Sequence, residues 1–163
     1  MKVCLEFEWG GHVEQMLSIL DALEGHSFFF VTSKSDNTKI LERVAKVYWI
    51  KGYRAETGSR FAHIDVLIKY CIQQIFAFAT SIKIFVREWP QVIITTGGGA
   101  TLPLCYLGKL FRRKIVFLES LARVYNPSGT GKLVYPIADI FLVQWEPLLK
   151  KYGKKAQYWG RVL

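Results

Sequence analysis

The chain has 163 residues, a net charge of +9 and 51% apolar residues. This length suits one domain with a hydrophobic core, and the apolar fraction excludes a disordered chain. We therefore expect residues 1–163 to form a single domain. The excess of positive charge predicts an anionic partner, such as nucleic acid, acidic lipid or a phosphorylated substrate.

The three cysteines, Cys4, Cys71 and Cys105, are widely spaced. With no CxxC pair and no Cys/His cluster, the sequence predicts three buried, reduced thiols, no disulfide framework and no metal site. The opening MKVCLEFEW contains two acids, which does not fit a signal peptide. The apolar segment 63–86 carries several charged and amide side chains. It therefore predicts no transmembrane helix, but a long helix able to lie on a bilayer.

Strands and helices alternate along the chain. The first half predicts strand 2–7, helix 12–23, strand 26–32, a short helix from Asp36, strand 47–50, a polar loop through Gly58 and a helix from about 60 to 87. The second half predicts strand 91–96, a glycine turn into a helix, strand 114–120, a short helix at 129–139, strand 140–144, helix 146–152 and a closing segment AQYWG.

This alternation favours right-handed crossovers between parallel strands, and therefore an α/β domain with a Rossmann-like, doubly wound parallel sheet. Ligands bind such sheets beyond the carboxyl ends of the strands. The loops that follow strands are thus the candidate site, and they are 8–12, 96–100, 119–131 and 144–146.

Two glycine-rich stretches depart from the nucleotide-binding motifs that they resemble. NPSGTGKL, residues 126–133, lacks the first glycine and the final hydroxyl of a Walker loop. GGGATL, residues 97–102, ends in leucine where the dinucleotide motif has glycine. The glycines at 10–11 and 97–99 still let the backbone approach an anion at a helix start, although a tight turn alone is an alternative interpretation of each.

Side chains after the strands supply the candidate chemistry. His12 lies in the first turn of a predicted helix, where the helix dipole lowers the imidazole pKa and favours a neutral base near pH 7; an inert loop histidine is the alternative. Glu119 and Arg123 follow a buried strand, either as a structural ion pair or as a pair lining a site. Trp145 follows the next strand, where packing or an interface is favoured over catalysis.

The basic residues are scattered along the chain, as at 112–114, 150–151 and 154–155. Because no aromatic side chains are interleaved with them, we expect no nucleic-acid partner. Together with the long apolar helix, some of them favour contact with an anionic membrane surface.

Four stretches, in order, resemble one family: GGHVEQML, TTGGGATLP, KIVFLESLARVYNPSGTGKLVYPIADIFLVQWEPLLKKYG and YWGRVL. The family is the acceptor-binding, membrane-associating subunit of the two-subunit GlcNAc transferase that elongates dolichyl-diphosphate-GlcNAc. The bacterial capsule and exopolysaccharide helper subunits of that family are even more similar. The resemblance implies the N-terminal half of a GT-B glycosyltransferase, with the UDP-sugar bound by a separate catalytic subunit.

The resemblance also implies roles for particular residues. Gly10 and Gly11 would face the acceptor diphosphate, and His12 would be the general base. The other acceptor-binding or cleft-lining residues would be Gly97, Gly98, Gly99, Glu119, Ser120 and Arg123. Docking of the catalytic subunit would involve Trp145, Tyr158, Trp159, Gly160 and Arg161.

One departure from the family concerns the residues before GGH, which are usually small or hydroxylated. This chain has Glu8 and Trp9. A carboxylate beside a diphosphate is repulsive unless a cation offsets it. Glu8 therefore points away, or replaces His12 as the base, or the acceptor differs.

We expect a peripheral subunit of a two-component inverting glycosyltransferase on the cytoplasmic face of the membrane, in a heterodimer or larger assembly. It would bind a polyprenyl-diphosphate-linked sugar and recruit the catalytic subunit, for lipid-linked oligosaccharide or exopolysaccharide synthesis. No cofactor and no metal are expected on this chain, and the UDP-sugar donor is expected on the partner. The alternatives are a non-catalytic membrane scaffold and a self-contained nucleotide-binding Rossmann protein.

Overall fold

A computed structural model describes residues 1–51 and 62–162. The predicted polar loop up to Gly58 and the predicted helix start near residue 60 lie outside these residues. The strands in the described part are β1 Lys2–Phe7, β2 Ser27–Ser33, β3 Val47–Ile50, β4 Val92–Gly97, β5 Lys114–Leu118, β6 Ile140–Val143 and β7 Ala156–Tyr158. The α-helices are α1 Gly11–Leu17, α2 Ala62–Glu88, α3 Leu102–Leu110, α4 Gly129–Val134 and α5 Pro147–Tyr152.

The seven strands form one parallel sheet in the order β3-β2-β1-β4-β5-β6-β7. The chain starts at the centre, builds outward to β3, and returns through α2 to place β4 beside β1. The direction of winding therefore reverses between β1 and β4, which confirms the predicted doubly wound sheet. The loops after these two strands are neighbours at the switch point, where such sheets bind ligands.

Apolar residues cover both faces of the sheet. On one face Cys4 and Ile93 pack with Leu104 of α3 and Phe85 of α2. On the other face Leu5 and Phe7 pack with Val13 and Met16 of α1. Burial on both faces explains why the central strands are continuous apolar runs, as parallel sheets require.

Four predicted elements differ from the structure, and one of them is the helix predicted at 129–139, which ends at Val134. The first helix ends at Leu17, and a separate 3₁₀ turn covers Leu20–Leu23. The hydroxyl of Ser18 donates to the carbonyl of Glu14 at 2.8 Å, and such a bond to the preceding turn weakens a helix. The segment Asp36–Arg43 is a 3₁₀ helix. The closing segment contributes the edge strand β7, which pairs with β6.

The expectation of three buried thiols is wrong for one of them. Cys4 and Cys105 are buried, whereas Cys71 on α2 is exposed. The apolar residues of α2 extend beyond one face, so the sequence pattern did not identify its solvent-facing side. Among the helices of the described residues, none combines the length and the apolar content that a membrane crossing needs.

The carboxyl end of α2 is tied to the amino edge of the sheet by Glu88. Its carboxylate bonds Lys2 Nζ at 2.5 Å and Lys46 Nζ at 2.6 Å, and it accepts from the Tyr48 hydroxyl. Burial alone would raise the pKa of Glu88, but these bonds outweigh it and lower the pKa to about 2. The ion cluster thereby fixes the end of α2 that is remote from the switch point.

Candidate functional site

A cleft of about 560 Å³ opens at the carboxyl ends of β1, β4 and β5. It is lined by His12, Thr96, Gly97, Gly98, Glu119, Ser120, Ala122, Arg123, Ser128, Gly129 and Thr130. A neighbouring cavity of about 520 Å³ shares His12 and Ser120, and is also lined by Gly11, Gln15 and Trp145. Together the two cavities bring residues from all four predicted loops to one side of α1.

His12 is partly buried at the start of α1. Its Nδ1 lies 3.1 Å from Thr96 Oγ1 at the end of β4. Burial lowers the pKa of His12 below its usual value, Arg123 lowers it further, and the charge of Glu119 offsets part of the effect. The cause is therefore chiefly burial rather than the helix dipole invoked from the sequence. The imidazole is neutral at pH 7 and able to accept a proton.

Glu119 is fully buried at the end of β5. Its Oε1 accepts from the Ser120 N–H at 2.9 Å, and its Oε2 accepts from the N–H and hydroxyl of Ser128 at 3.1 and 3.0 Å. The Tyr152 hydroxyl donates to Oε2 as well. Burial, together with this carboxylate, raises the pKa of Tyr152. Glu119 therefore acts as a fixed anion that shapes the loop between β5 and α4.

Arg123 does not pair with Glu119, although a structural ion pair was one of the two interpretations of the sequence. Among the side chains that the structure describes, no ion pair involves Arg123, and the residue is exposed at the cleft. The guanidinium thus remains available to an anionic ligand.

One glycine of the Walker-like stretch, Gly131, has a packing explanation. A Cβ at Gly131 would lie 2.1 Å from the Tyr152 hydroxyl and 2.7 Å from Glu119 Oε2. Ser128 caps α4, since its Oγ accepts from the Gly131 N–H at 2.8 Å. The stretch therefore wraps the Glu119 carboxylate.

The two glycine loops after β1 and β4 differ in their surroundings. Gly10 has a φ of +89° and precedes α1, and its carbonyl accepts from Asn37 Nδ2 at 3.4 Å. In the second loop, the N–H of Ala100 donates to Glu8 Oε1 at 3.0 Å. Glu8 is not among the described residues that line either cavity.

Two buried glutamines connect α1 to the loops after β5 and β6, and the sequence analysis missed this link. Gln144 Nε2 donates to Gln15 Oε1 at 2.7 Å and to the Glu119 carbonyl at 2.8 Å. The N–H of Leu121 also donates to Gln15 Oε1, at 3.0 Å. Gln144 could have been identified from the sequence, because it is a polar residue directly after a buried strand. For Gln15, the signal was an amide between the apolar residues of α1.

The predicted partner-docking residues lie in two places. Trp145 borders the second cavity, with its Nε1 donating to the Leu121 carbonyl at 2.7 Å. The tail packs against it, because the Arg161 guanidinium lies 4.7 Å from the Trp145 ring centre. Trp159 is 73% exposed. Tyr158 ends β7, and Gly160 has a φ of +101°.

Within residues 1–51 and 62–162, no three His, Cys, Asp or Glu side chains are grouped so that they could hold a metal ion.

The sheet order and the position of the cleft define a Rossmann-like, doubly wound domain with the fold of the N-terminal domain of GT-B glycosyltransferases. MurG from Acinetobacter baumannii matches with a TM-score of 0.70 and 12% identity, over 97% of this chain and 45% of MurG. The UDP-GlcNAc 2-epimerase of Methanocaldococcus jannaschii also matches at 0.70, with 14% identity, over 99% of this chain and 47% of the epimerase. At these identities the likeness shows the fold alone, and this chain spans less than half of each structure.

Sequence comparison identifies the family. The model of the family described as oligosaccharide biosynthesis protein Alg14 like matches residues 4–162. A relative in Debaryomyces hansenii, the UDP-N-acetylglucosamine transferase subunit ALG14, is 32% identical over 93% of this chain and 72% of its own length. The subunit of the same name in Schizosaccharomyces pombe is 33% identical over 96% of this chain and 80% of its own length. This chain belongs to the Alg14 family, as its resemblance predicted.

Proposed function

We propose that this chain is the acceptor-binding subunit of a two-component inverting glycosyltransferase for lipid-linked oligosaccharide or exopolysaccharide synthesis. The observation that carries this proposal is an open cleft that holds a neutral histidine, His12, and an arginine, Arg123, with no ion-pair partner among the described side chains. This chain spans less than half of MurG, which has the same fold. The family relatives are named as transferase subunits, which supports a catalytic partner that holds the UDP-sugar.

In the proposed reaction, His12 is the general base. With Nδ1–H donating to Thr96, Nε2 keeps the lone pair that takes the proton of an acceptor hydroxyl. The hydroxyl oxygen forms a bond to the anomeric carbon of the donor as the bond from that carbon to UDP breaks. UDP leaves on the partner, with inversion at the anomeric carbon.

The acceptor diphosphate is assigned to the cleft beside α1, where Arg123 supplies a permanent positive charge. Arg123 lies with the hydroxyls of Ser120 and Thr130 on the cleft wall. A guanidinium with neighbouring hydroxyls suits phosphate oxygens, because charge-assisted hydrogen bonds to phosphate are strong and directional. Gly11, at the first position of α1, lines the adjoining cavity.

An apolar surface on α2 supports a peripheral site on an anionic membrane. Its exposed residues follow helical spacing and are Ile72, Ile75, Phe76, Ile82 and Val86. Trp89, Leu110 and Phe111 are exposed beyond the end of the helix, and Lys83, Arg87 and Arg112 are exposed cations among them. Apolar residues flanked by cations suit binding to anionic lipid.

This apolar surface also extends toward the cleft. Gln74, on the same helix, donates from Nε2 to the Gly99 carbonyl at 3.0 Å. The part of α2 around Ile75 and Phe76 therefore lies beside the loop after β4, which lines the cleft. A diphosphate at a membrane surface would be within reach of that cleft.

Reconstitution tests the proposed function. The chain is combined with its catalytic subunit, a UDP-sugar and a polyprenyl-diphosphate-linked sugar in vesicles that contain phosphatidylglycerol. We expect transfer only when both subunits are present. Full-rate transfer by this chain alone would overturn the two-component proposal, and unchanged turnover in both His12→Ala and Glu8→Gln pairs would favour a scaffold. Tight binding of UDP or NAD by the isolated chain would favour a self-contained nucleotide-binding protein.

The proposed binding of the α2 surface to a membrane is tested separately. Ile75→Glu combined with Phe76→Glu is expected to reduce binding to phosphatidylglycerol vesicles by about tenfold or more, because two apolar side chains are removed from the contact. Val44→Glu, which places the same charge on an exposed position of another element, is the control. Equal vesicle binding by the α2 double variant and the wild type would exclude this surface.

A further inference from the structure

Glu8 lies between the two glycine loops and bonds to the second one. Its Oε1 accepts from the N–H of Ala100 at 3.0 Å. Burial raises the pKa of Glu8, and the backbone N–H groups of Ala100 and Gly99 offset part of that rise. Gly98 lines the cleft, whereas Glu8 is not among the described residues that line it.

Other backbone groups of this loop are also bonded within the protein. The N–H of Gly97 donates to Thr95 Oγ1 at 3.0 Å, and the carbonyl of Gly99 accepts from Gln74 Nε2 at 3.0 Å. The N–H of Ala100, in the turn into α3 where an external anion would be expected, donates to Glu8. An internal carboxylate thus takes the place that the sequence suggested for a phosphate.

The side chain of Glu8 and the shape of the loop depend on each other at Gly98. This glycine has a φ of +119°, a conformation that other residues rarely adopt. A Cβ on Gly98 would lie 2.3 Å from Glu8 Cγ and 2.6 Å from Glu8 Cδ. The absence of a side chain at 98 is therefore what admits Glu8 to the loop.

We propose that Glu8 is a positioning residue, which holds loop 97–100 in shape by an internal carboxylate and is not the base of the transfer reaction. This inference rests on the proposed function for the meaning of the cleft. It answers the question that Glu8 raised in the sequence, because a carboxylate that is bonded to the Ala100 N–H, and is not among the described residues lining the cleft, is not placed to meet the acceptor diphosphate. Of the described side chains that line the cleft, only Arg123 carries a permanent positive charge, so the diphosphate binds on the Arg123 side.

Glu8→Gln separates positioning from catalysis. Glutamine keeps a carbonyl oxygen for the Ala100 N–H but cannot take a proton from a sugar hydroxyl. We expect the reconstituted pair with Glu8→Gln to keep turnover within about twofold of the wild type, with the same pH profile, whereas loss of a general base costs about a hundredfold or more. A hundredfold fall in kcat for Glu8→Gln would overturn the proposal.

Glu8→Ala tests the effect on substrate binding. Because the loop loses its internal anion, we expect the KM for the acceptor to rise by about tenfold and kcat to change less. Glu42→Ala, which removes an exposed carboxylate from the Asp36–Arg43 helix, is the matched control and should leave both constants unchanged. An unchanged acceptor KM in Glu8→Ala would contradict positioning.

A measurement on the isolated chain keeps this inference separate from the proposed function. Amide hydrogen exchange at Ala100 should accelerate by about tenfold in Glu8→Ala, since one bond of about 1.4 kcal/mol corresponds to that factor, and should stay near the wild-type rate in Glu8→Gln. Unchanged exchange in Glu8→Ala overturns the positioning role. If the wild-type pair transfers no sugar while amide exchange is faster in Glu8→Ala, the proposed function is contradicted and the positioning role of Glu8 stands.

Discussion

The pKa of His12 and its contact with Thr96 both favour a role as the base. Burial and Arg123 lower its pKa, and Thr96 Oγ1 lies 3.1 Å from Nδ1. A lowered pKa keeps the base deprotonated to more acidic pH. The activity of the reconstituted pair should therefore be flat from pH 8 down to about 6.5 and fall only below it.

Substitution tests the same assignment. His12→Ala should lower kcat by about a hundredfold or more, because the acceptor proton then has no base. His26→Gln is the control, since His26 immediately precedes β2 at the amino edge of the sheet, opposite the cleft. A pH profile whose acid limb has its midpoint above 6.5, or a kcat unchanged by His12→Ala, would contradict the role of His12.

At the residue scale, Gly131 shows that a glycine in the Walker-like stretch serves packing. A Cβ there would lie 2.1 Å from the Tyr152 hydroxyl, whereas a Cβ at Gly129, in the same helix, has no heavy atom within 4 Å. Gly131→Ala should lower the free energy of unfolding by about 2 kcal/mol or more, and Gly129→Ala should not lower it. Urea denaturation measures both, and equal stabilities of the two variants would exclude the packing explanation.

At the scale of elements, Glu88 joins the end of α2 to β1 and β3 through Lys2, Lys46 and Tyr48. The pKa of Glu88 falls from 4.5 to about 2 on folding, because these bonds outweigh the effect of burial. A carboxyl with a depressed pKa stabilises the fold fully above the unfolded value, and that stabilisation is lost as the pH falls from about 4.5 to about 2.

Glu88→Gln should therefore cost about 2 kcal/mol at pH 7, a value discounted because both lysines are partly exposed, and almost nothing near pH 2. Thermal or urea unfolding across this range is the measurement. Asp36→Asn is the control, because the Asp36–Lys39 pair is exposed, and it should produce no measurable change. A cost that is independent of pH would refute the assignment.

The elements themselves were largely predictable. Apolar runs bounded by glycine or polar residues located the strands through β6, because burial on both faces requires such runs. The kind of helix was less predictable: Asp36–Arg43 is 3₁₀ and α1 stops at Leu17. Short helices depend on tertiary contacts more than on propensity, and the sequence pattern does not contain those contacts.

At the scale of the whole molecule, the chain has an exposed tail beside its sheet edge. Trp159 is 73% exposed, and exposed tryptophans are frequent anchors in interfaces. Trp159→Ala should weaken binding of the catalytic subunit by about tenfold or more without changing the melting temperature. Titration calorimetry measures this, with Ile40→Ala at the opposite edge of the sheet as control; equal affinity for the Trp159 variant would place the interface elsewhere.

The site was only partly predictable. His12, Ser120 and Arg123 were named because they follow strands, and all three line the cleft. Thr96 lies 84 positions from His12 in sequence, and the Gln15–Gln144 bond joins residues 129 positions apart. No local pattern predicts such pairs, since parallel crossovers decide which loops become neighbours.

The sequence by itself determined the doubly wound sheet, the family, and the loops in which chemistry is expected. These depend on periodicity, turn residues and motif order, which are local properties of the chain. Only the tertiary structure decided that Glu119 is a buried anchor, that Arg123 has no ion-pair partner among the described side chains, and that Glu8 bonds to the loop of Gly98. The direction of a single side chain after a strand depends on what packs against it, and that neighbour comes from elsewhere in the chain.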